Sequence, residues 1–378
     1  MENYLTQTSL RKFQHLKNIS IFKDDLKCDQ ILNSVKDAFI EHITIVSSDK
    51  VDPVLLRRKF IDWNEQLNGE SLFDKEVESL NRAIEVNMRV KKSKIRMFFL
   101  YAYEDREYVS ILIHAVNTFF HIFNTSDDLN LYICLNRNER SLMTGCKKHT
   151  ECIHHMRKNS LAMSVSGTTN ISTGEIYLTR KEEITKLLFH ELIHFFELDS
   201  GFRNDRLQLD WDIEDQLVVY EAYTEFLSVV INSAYLSCHL QGDINMIFKR
   251  ILSREINYSV FLCATILKFY GYNNANYTDF FKKKIHSHKQ PIYLWEYIFV
   301  RTQLMLCIND MMRLICPSYS VNKDNYDQIM NIITNDEQLI ESLSNKHLWN
   351  VNFDSASYLL FDIDWNRFNN FDNKNKNI

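Results

Sequence analysis

The sequence predicts an α+β protein that is mostly helical, with a small central sheet and a helical lobe on either side. Three observations carry this. Apolar residues recur at three- and four-residue spacing over long stretches at both ends of the chain. Short apolar or alternating segments bounded by turn residues cluster between residues 93 and 178. Seven Gly and three Pro in 378 residues are too few for a sandwich, a barrel or long flexible linkers. The patterning divides the chain into an N-terminal helical lobe (1–92), a core carrying the sheet (93–235) and a C-terminal helical lobe (236–378).

Taken in order, residues 1–92 read as mostly helical. Ile31, Val35, Phe39 and Ile40 share one helical stripe, and Leu55, Phe60, Trp63 and Leu67 share another. The basic run Arg89–Lys94 marks a boundary. Ile95–Tyr103 and Leu129–Leu135 are strands separated by a helix over Arg106–Phe123, with Asp127-Asp128 turning into the second strand. Residues 136–160 are polar and irregular, and Leu161–Ser166 is a further strand candidate. Ser166-Gly167-Thr168-Thr169-Asn170 reads as a turn, and Gly174 opens a short strand at Glu175–Leu178. Thr179-Arg180-Lys181-Glu182 has the T-x-x-E form of a capping box and predicts a helix start. Another helix is expected from Asp212 through Tyr235, then helices over Ile244–Tyr270, Trp295–Cys316 and Tyr326–Leu343, and a frayed tail from Phe368.

Composition narrows the function classes. A hydrophobic content of 45% supplies a packed core, and a formal net charge of -5 implies no nucleic-acid partner. Lys282-Lys283-Lys284 is the one tight basic cluster and reads as a solvated face. No signal peptide and no run of about 18 apolar residues appears, so no membrane partner is expected. Eight Cys without a C-x-x-C pair fit reduced thiols, and Cys134, Cys263 and Cys307 lie in apolar runs. The expected location is intracellular, in the cytoplasm.

The chemistry concentrates in Phe189-His190-Glu191-Leu192-Ile193-His194. On a helix, residues four apart lie about 40° from each other, so His190 and His194 project from one face and can share one Zn²⁺. Glu191 beside them can act as general base on a water whose pKa zinc lowers from about 15.7 to about 7. A catalytic zinc takes three protein ligands and keeps an open position. The H-x-x-G-x-x-H extension fails, because Glu197 holds the Gly position and Ser200 the last His position. Tyr220-Glu221-Ala222-Tyr223-Thr224-Glu225-Phe226 offers instead two carboxylates on one face of a largely apolar helix, where unpaired charge is costly. Glu221 is therefore assigned as third ligand. Glu225, a turn further on, is assigned the role of orienting a ligand histidine. Asp199, Glu197 and Glu225 stay open as alternatives to Glu221.

This pattern resembles the gluzincin zinc metallopeptidases, in which H-E-x-x-H on one helix is completed by E-x-x-x-D or E-x-x-x-E on a later one. The resemblance covers Gly174 to Glu225 and implies a zincin-like core whose small sheet packs on the H-E-x-x-H helix. It implies one zinc per chain, held by His190, His194 and Glu221, with a peptide or protein as substrate. It also implies that Glu175–Leu178 is the edge strand along which an extended peptide lies. The stretch from Ser166 to the H-E-L-I-H segment is similar as well to uncharacterised proteins of large DNA viruses. The family's oxyanion-stabilising residue is not placed by the sequence; Tyr220, Tyr223, His286 and His288 are the candidates. The function expected is a zinc-dependent peptidase, the alternatives being a catalytically inactive zincin-fold binding or virion protein, or a metal-free helical interaction protein. A second group, Cys146, His149, Cys152, His154 and His155, has no zinc-knuckle spacing and reads as a polar loop.

Overall fold

The computed structural model describes residues 2–16, 19–22, 25–68, 77–123, 127–137, 166–202, 205–207, 209–212, 217–269, 271–282, 297–350 and 359–368. Helices α1 (Gln7–Leu16) and α2 (Asp29–Phe39) lead to strand β1 (Thr44–Lys50), helix α3 (Pro53–Asn68) and strands β2 (Arg82–Val90) and β3 (Ser93–Tyr101). Helix α4 (Arg106–Ile122) crosses to β4 (Leu129–Cys134), and β5 (Gly167–Asn170) and β6 (Glu175–Leu178) run into α5 (Ile184–Phe195). The two-residue strands β7 (Arg206–Leu207) and β8 (Leu217–Val218) precede α6 (Val219–His239). Then come α7 (Ile244–Phe269), α8 (Tyr297–Leu306), α9 (Ile308–Ile315), α10 (Tyr326–Thr334) and α11 (Glu337–Leu343). The α+β class and the helical majority agree with the sequence. No helix among the described residues is long and apolar enough to cross a membrane.

The six-stranded mixed sheet has the order β1-β2-β3-β4-β6-β5. β1, β2 and β3 form an antiparallel meander, β3, β4 and β6 run parallel, and β5 returns antiparallel along β6. β4 is buried along almost its whole length, as a central parallel strand with both faces covered should be. One face carries the main core with α4, α5 and α6; the other is covered by α3 through Leu56 and Phe60. Across that second face the rings of Phe98, Tyr132, Tyr177 and Trp63 stack in sequence at centroid distances of 4.8, 4.7 and 5.2 Å. Each offset stack adds to the area it buries, so the row ties α3 to β3, β4 and β6.

Several expectations are corrected. Residues 1–92 contain two strands as well as helices, because β2 alternates buried and exposed residues and pairs on both sides. The basic run 89–94 is the β2–β3 hairpin turn, with Lys91 in the left-handed region at φ 53°. Ser166–Asn170 is largely strand β5 and not a turn. The helix expected from Asp212 starts at Val219; Asp212 is instead buried and accepts a hydrogen bond from the Tyr272 hydroxyl. The 295–316 and 326–343 helices each break in two, at Cys307 and at Asn335-Asp336. Cys134 and Cys263 are buried, whereas Cys307 is partly exposed. The strand candidate at 161–165 and the 146–155 Cys/His group lie outside the described residues.

A segment near the C-terminus runs into the interior and fixes the start of α5. Glu255 accepts the backbone N–H groups of Leu360 and Phe361 at 2.9 and 2.8 Å, and Glu183 accepts that of Leu359 at 2.6 Å. Lys12 donates to the Leu359 carbonyl at 3.1 Å, and Asp362 accepts the Glu183 N–H at 3.2 Å. Glu255, Glu183 and Lys12 are buried and Asp362 is half-buried, where an unbonded amide or carboxylate is expensive, so one set of groups satisfies the other.

Burial pushes the Glu255 carboxyl up to about 7, although two backbone N–H groups and Arg301 favour its charge. A folded-state value above the ordinary 4.5 means that the folded chain holds this proton more tightly. The resulting stability is fully present below about 4.5 and is lost as pH rises through about 7. Glu255→Gln cannot ionise and is expected to flatten the decline between about pH 5 and 8, so that its stability difference from wild type changes across that range. Melting temperatures of the two proteins across that range check this; parallel curves would contradict it.

Candidate metal centre

Helix α5 carries the motif, but it begins later than the capping box predicts. Thr179 gives both its N–H and its hydroxyl to the Ser166 carbonyl, at 2.8 and 3.2 Å, and so continues the β5–β6 ladder. Lys181 is drawn to Asp105, its ammonium 2.7 Å from that buried carboxylate. The helix starts at Ile184, after Glu183 in the left-handed region at φ 58°. His190 then follows six residues into α5, under two turns from its start.

α5 packs along α6, and the pairing brings three atoms to one point. His190 Nε2 and His194 Nε2 are 3.1 Å apart, and Glu221 Oε2 lies 3.3 Å from the first and 3.7 Å from the second. A tetrahedral zinc with ligand bonds of about 2.0–2.2 Å separates its ligand atoms by about 3.3–3.6 Å, so the triangle has the size such an ion requires.

The outer sides of the two rings face carboxylates. His194 Nδ1 is 2.6 Å from Asp199 Oδ2, and His190 Nδ1 faces Glu225 Oε1 at 3.5 Å. A carboxylate accepts only, so His194 carries hydrogen on Nδ1; His190 Nδ1 makes no hydrogen bond to Glu225, and the two Nε2 atoms stand within hydrogen-bond distance of each other. The two Nε2 atoms and the Glu221 oxygen thus converge in a largely enclosed place, as a group that could hold a metal ion. Burial works against charge on His194, yet Asp199 and Glu221 outweigh it and hold its pKa well above the ordinary value. Burial likewise opposes charge on Glu221, and the two histidines hold its carboxyl far below the usual range.

A second ring of charge surrounds this triangle. Glu225 accepts two hydrogen bonds from Lys186, at 2.9 and 3.1 Å, and Arg301 approaches it to 3.9 Å. All three are nearly or fully buried. Asp199 is hydrogen-bonded to His194 Nδ1, whereas Glu225 approaches His190 Nδ1 without a hydrogen bond and is bonded to Lys186 instead. Asp199 and Glu225 touch the outer nitrogens only, and Glu197 is exposed, so none of them competes with Glu221 for the centre. Lys186 and Arg301 were not foreseen. Lys186 lies one turn before His190 on the same helical face, a spacing that the sequence displays.

Glu191 is held from the strand side. Thr169 donates its hydroxyl to the Glu191 carboxylate at 2.7 Å and lies 2.9 Å from the Glu191 carbonyl. Gly167 leaves room for that carboxylate: a Cβ there would sit 2.6 Å from Glu191 Oε1. Burial raises the Glu191 pKa, against the pull of His190 and His194. Both residues come from the stretch read as a turn; the Gly-Thr-Thr-Asn composition concealed a strand.

These groups line a cavity of about 480 Å³ together with Tyr220 and Arg206. Of the oxyanion candidates, Tyr220 lines it, with its ring 5.8 Å from that of His194. Tyr223 is buried and donates to the Tyr319 carbonyl at 2.8 Å, a packing role. His286 and His288 lie outside the described residues.

The chain is 34% identical over 357 residues to a protein of Acanthamoeba polyphaga mimivirus described as "Uncharacterized protein R210", the match covering 89% of this chain and 93% of that one. No model of a known protein family matches the chain, and no solved structure matches it. The gluzincin likeness therefore rests on the motif and on the geometry of the centre.

Two consequences are measurable. Gly167→Ala puts a Cβ against the buried Glu191 carboxylate and is expected to destabilise the chain by about 1–3 kcal/mol in denaturant unfolding. Asp199→Asn leaves His194 without its carboxylate and is expected to weaken metal binding by about 10–100-fold in chelator competition.

Proposed function

We propose, for a chain that belongs to the same family as protein R210 of Acanthamoeba polyphaga mimivirus, that it is a zinc-dependent peptidase. The observation that carries this reading is the meeting of His190, His194 and Glu221 around one point with the Glu191 carboxylate beside it in an accessible cleft. A structural site needs ligands alone; a carboxylate that coordinates nothing and is held by its own threonine serves proton transfer.

In this reading His190, His194 and Glu221 hold the ion, and Asp199 keeps the His194 ring turned toward it. Zinc, when bound, supplies Lewis acidity and brings the pKa of a coordinated water close to neutral. Glu191 takes the proton from the attacking water on its carboxylate and delivers it to the departing amine. The Thr169 hydroxyl and the gap at Gly167 fix where that carboxylate stands, which matters because proton transfer requires hydrogen-bond reach.

The strand that takes the substrate differs from the one the resemblance implies. β6 is flanked by β4 and β5, so its hydrogen-bonding edges are used. β5 ends the strand order among the described residues and borders the cleft, so an extended peptide would lie along Gly167–Asn170.

Purified protein is expected to carry about one zinc per chain by elemental analysis. Glu191→Gln should retain the metal and lose all cleavage of a mixed peptide library read by mass spectrometry. A chain that takes up no divalent metal, or a Glu191→Gln protein that cleaves like wild type, ends the peptidase reading.

A further inference from the structure

The residues of β5 alternate between two faces, as a strand must. Gly167 and Thr169 face α5, as their relation to Glu191 demonstrates. Thr168 faces the other way, and its hydroxyl accepts the Trp63 indole N–H at 3.1 Å. On that far side a groove of about 670 Å³ runs between α3 and β5, bordered by Leu55, Trp63, Thr168, Asn170 and Tyr177. It and the cleft over the metal centre share Thr168 and Thr169, so the two cavities meet across one strand.

We infer that this groove is a second binding subsite, one that takes a large apolar side chain of an extended peptide lying along β5. The inference rests on the reading that a peptide occupies that edge. Residues directly opposite each other on paired strands point to the same face. Peptide residues beside Gly167 and Thr169 therefore point toward the metal centre, and those beside Thr168 and Asn170 point into the groove. One backbone ladder thus feeds two cavities, and the groove reads every second residue.

The chemistry of the groove selects what enters. Its charged groups are already matched: Arg58 with Asp62 at 2.7 Å, and Lys59 with Glu175 at 3.4 Å. Lys59 is further engaged by the Tyr132 hydroxyl at 2.8 Å and lies over that ring. An ionised guest side chain would add charge to a balanced site and lose water in entering it. Leu55 is 69% exposed, and with the Trp63 ring it offers the apolar contact.

The test uses the full-length Glu191→Gln chain loaded with zinc and fluorescent ten-residue peptides of Ser, Thr and Asn. One peptide carries two Leu residues two positions apart, and its counterparts carry Lys or Glu there. Fluorescence anisotropy is expected to show the Leu peptide binding about tenfold or more tightly than either counterpart. Leu55→Lys, at an exposed position that leaves the core untouched, and Trp63→Ala should each erase most of that difference. Equal binding of the three peptides, a preference that survives both variants, or no binding at all overturns the subsite. Cleavage of the Leu peptide by wild type is scored separately. Cleavage without groove dependence keeps the peptidase reading and removes the subsite. Groove-dependent binding without cleavage does the reverse.

Discussion

Two imidazole nitrogens and one carboxylate oxygen are held at one point, where their close approach has to be balanced by the charge around them. That constraint organises the surroundings of the centre. It requires α5 and α6 to lie side by side so that the first turn of α6, with Glu221, meets the last two turns of α5. Behind the rings stand two carboxylates, Asp199 hydrogen-bonded to His194 and Glu225 at 3.5 Å from His190. Glu225 is buried, so it brings its own demand for positive charge, met by Lys186 and Arg301. Each layer of the site answers an electrostatic debt left by the one inside it, and the series ends in groups contributed by α8.

The same logic fixes where the motif helix begins. Glu183 turns the chain in a left-handed conformation and is bound in two directions, its carboxylate to Leu359 and its N–H to Asp362. Glu255 and Lys12 hold neighbouring groups of the same segment. The N-terminal helix, the C-terminal segment and α7 thus share a buried polar seam at the foot of α5. Buried ionic groups of this kind give little net stability, because desolvation offsets attraction, but they tolerate few alternative arrangements. The position of His190 and His194 relative to the sheet depends on that seam.

The sheet contributes through its last strand. β5 is short, and its two faces do different work: one touches Glu191 through Thr169, the other meets α3 through Thr168 and Trp63. The stacked rings of Trp63, Tyr177, Tyr132 and Phe98 carry that second contact across the sheet to β3. α3 is therefore coupled to the edge beside the metal centre, although it lies more than a hundred residues from the motif in sequence.

The sequence by itself determined the local facts. Spacing of four on a helix put His190 and His194 on one face, and the apolar surroundings of Glu221 and Glu225 required partners for both. These hold because helix geometry and the cost of buried charge act over a few residues. Only the tertiary structure decided which carboxylate stands behind which ring, because the two helices, the segment after α5 with Asp199 and α8 with Arg301 meet through contacts that no local pattern encodes. It also decided the strand order. Ser166–Asn170 has the composition of a turn, and partners across β6 made it a strand; β1 and β2 were hidden in the same way, since strand pairing depends on distant neighbours more than on intrinsic preference. The late start of α5 has the same cause: Thr179, free to cap a helix in an isolated segment, is claimed by the Ser166 carbonyl once the sheet has formed.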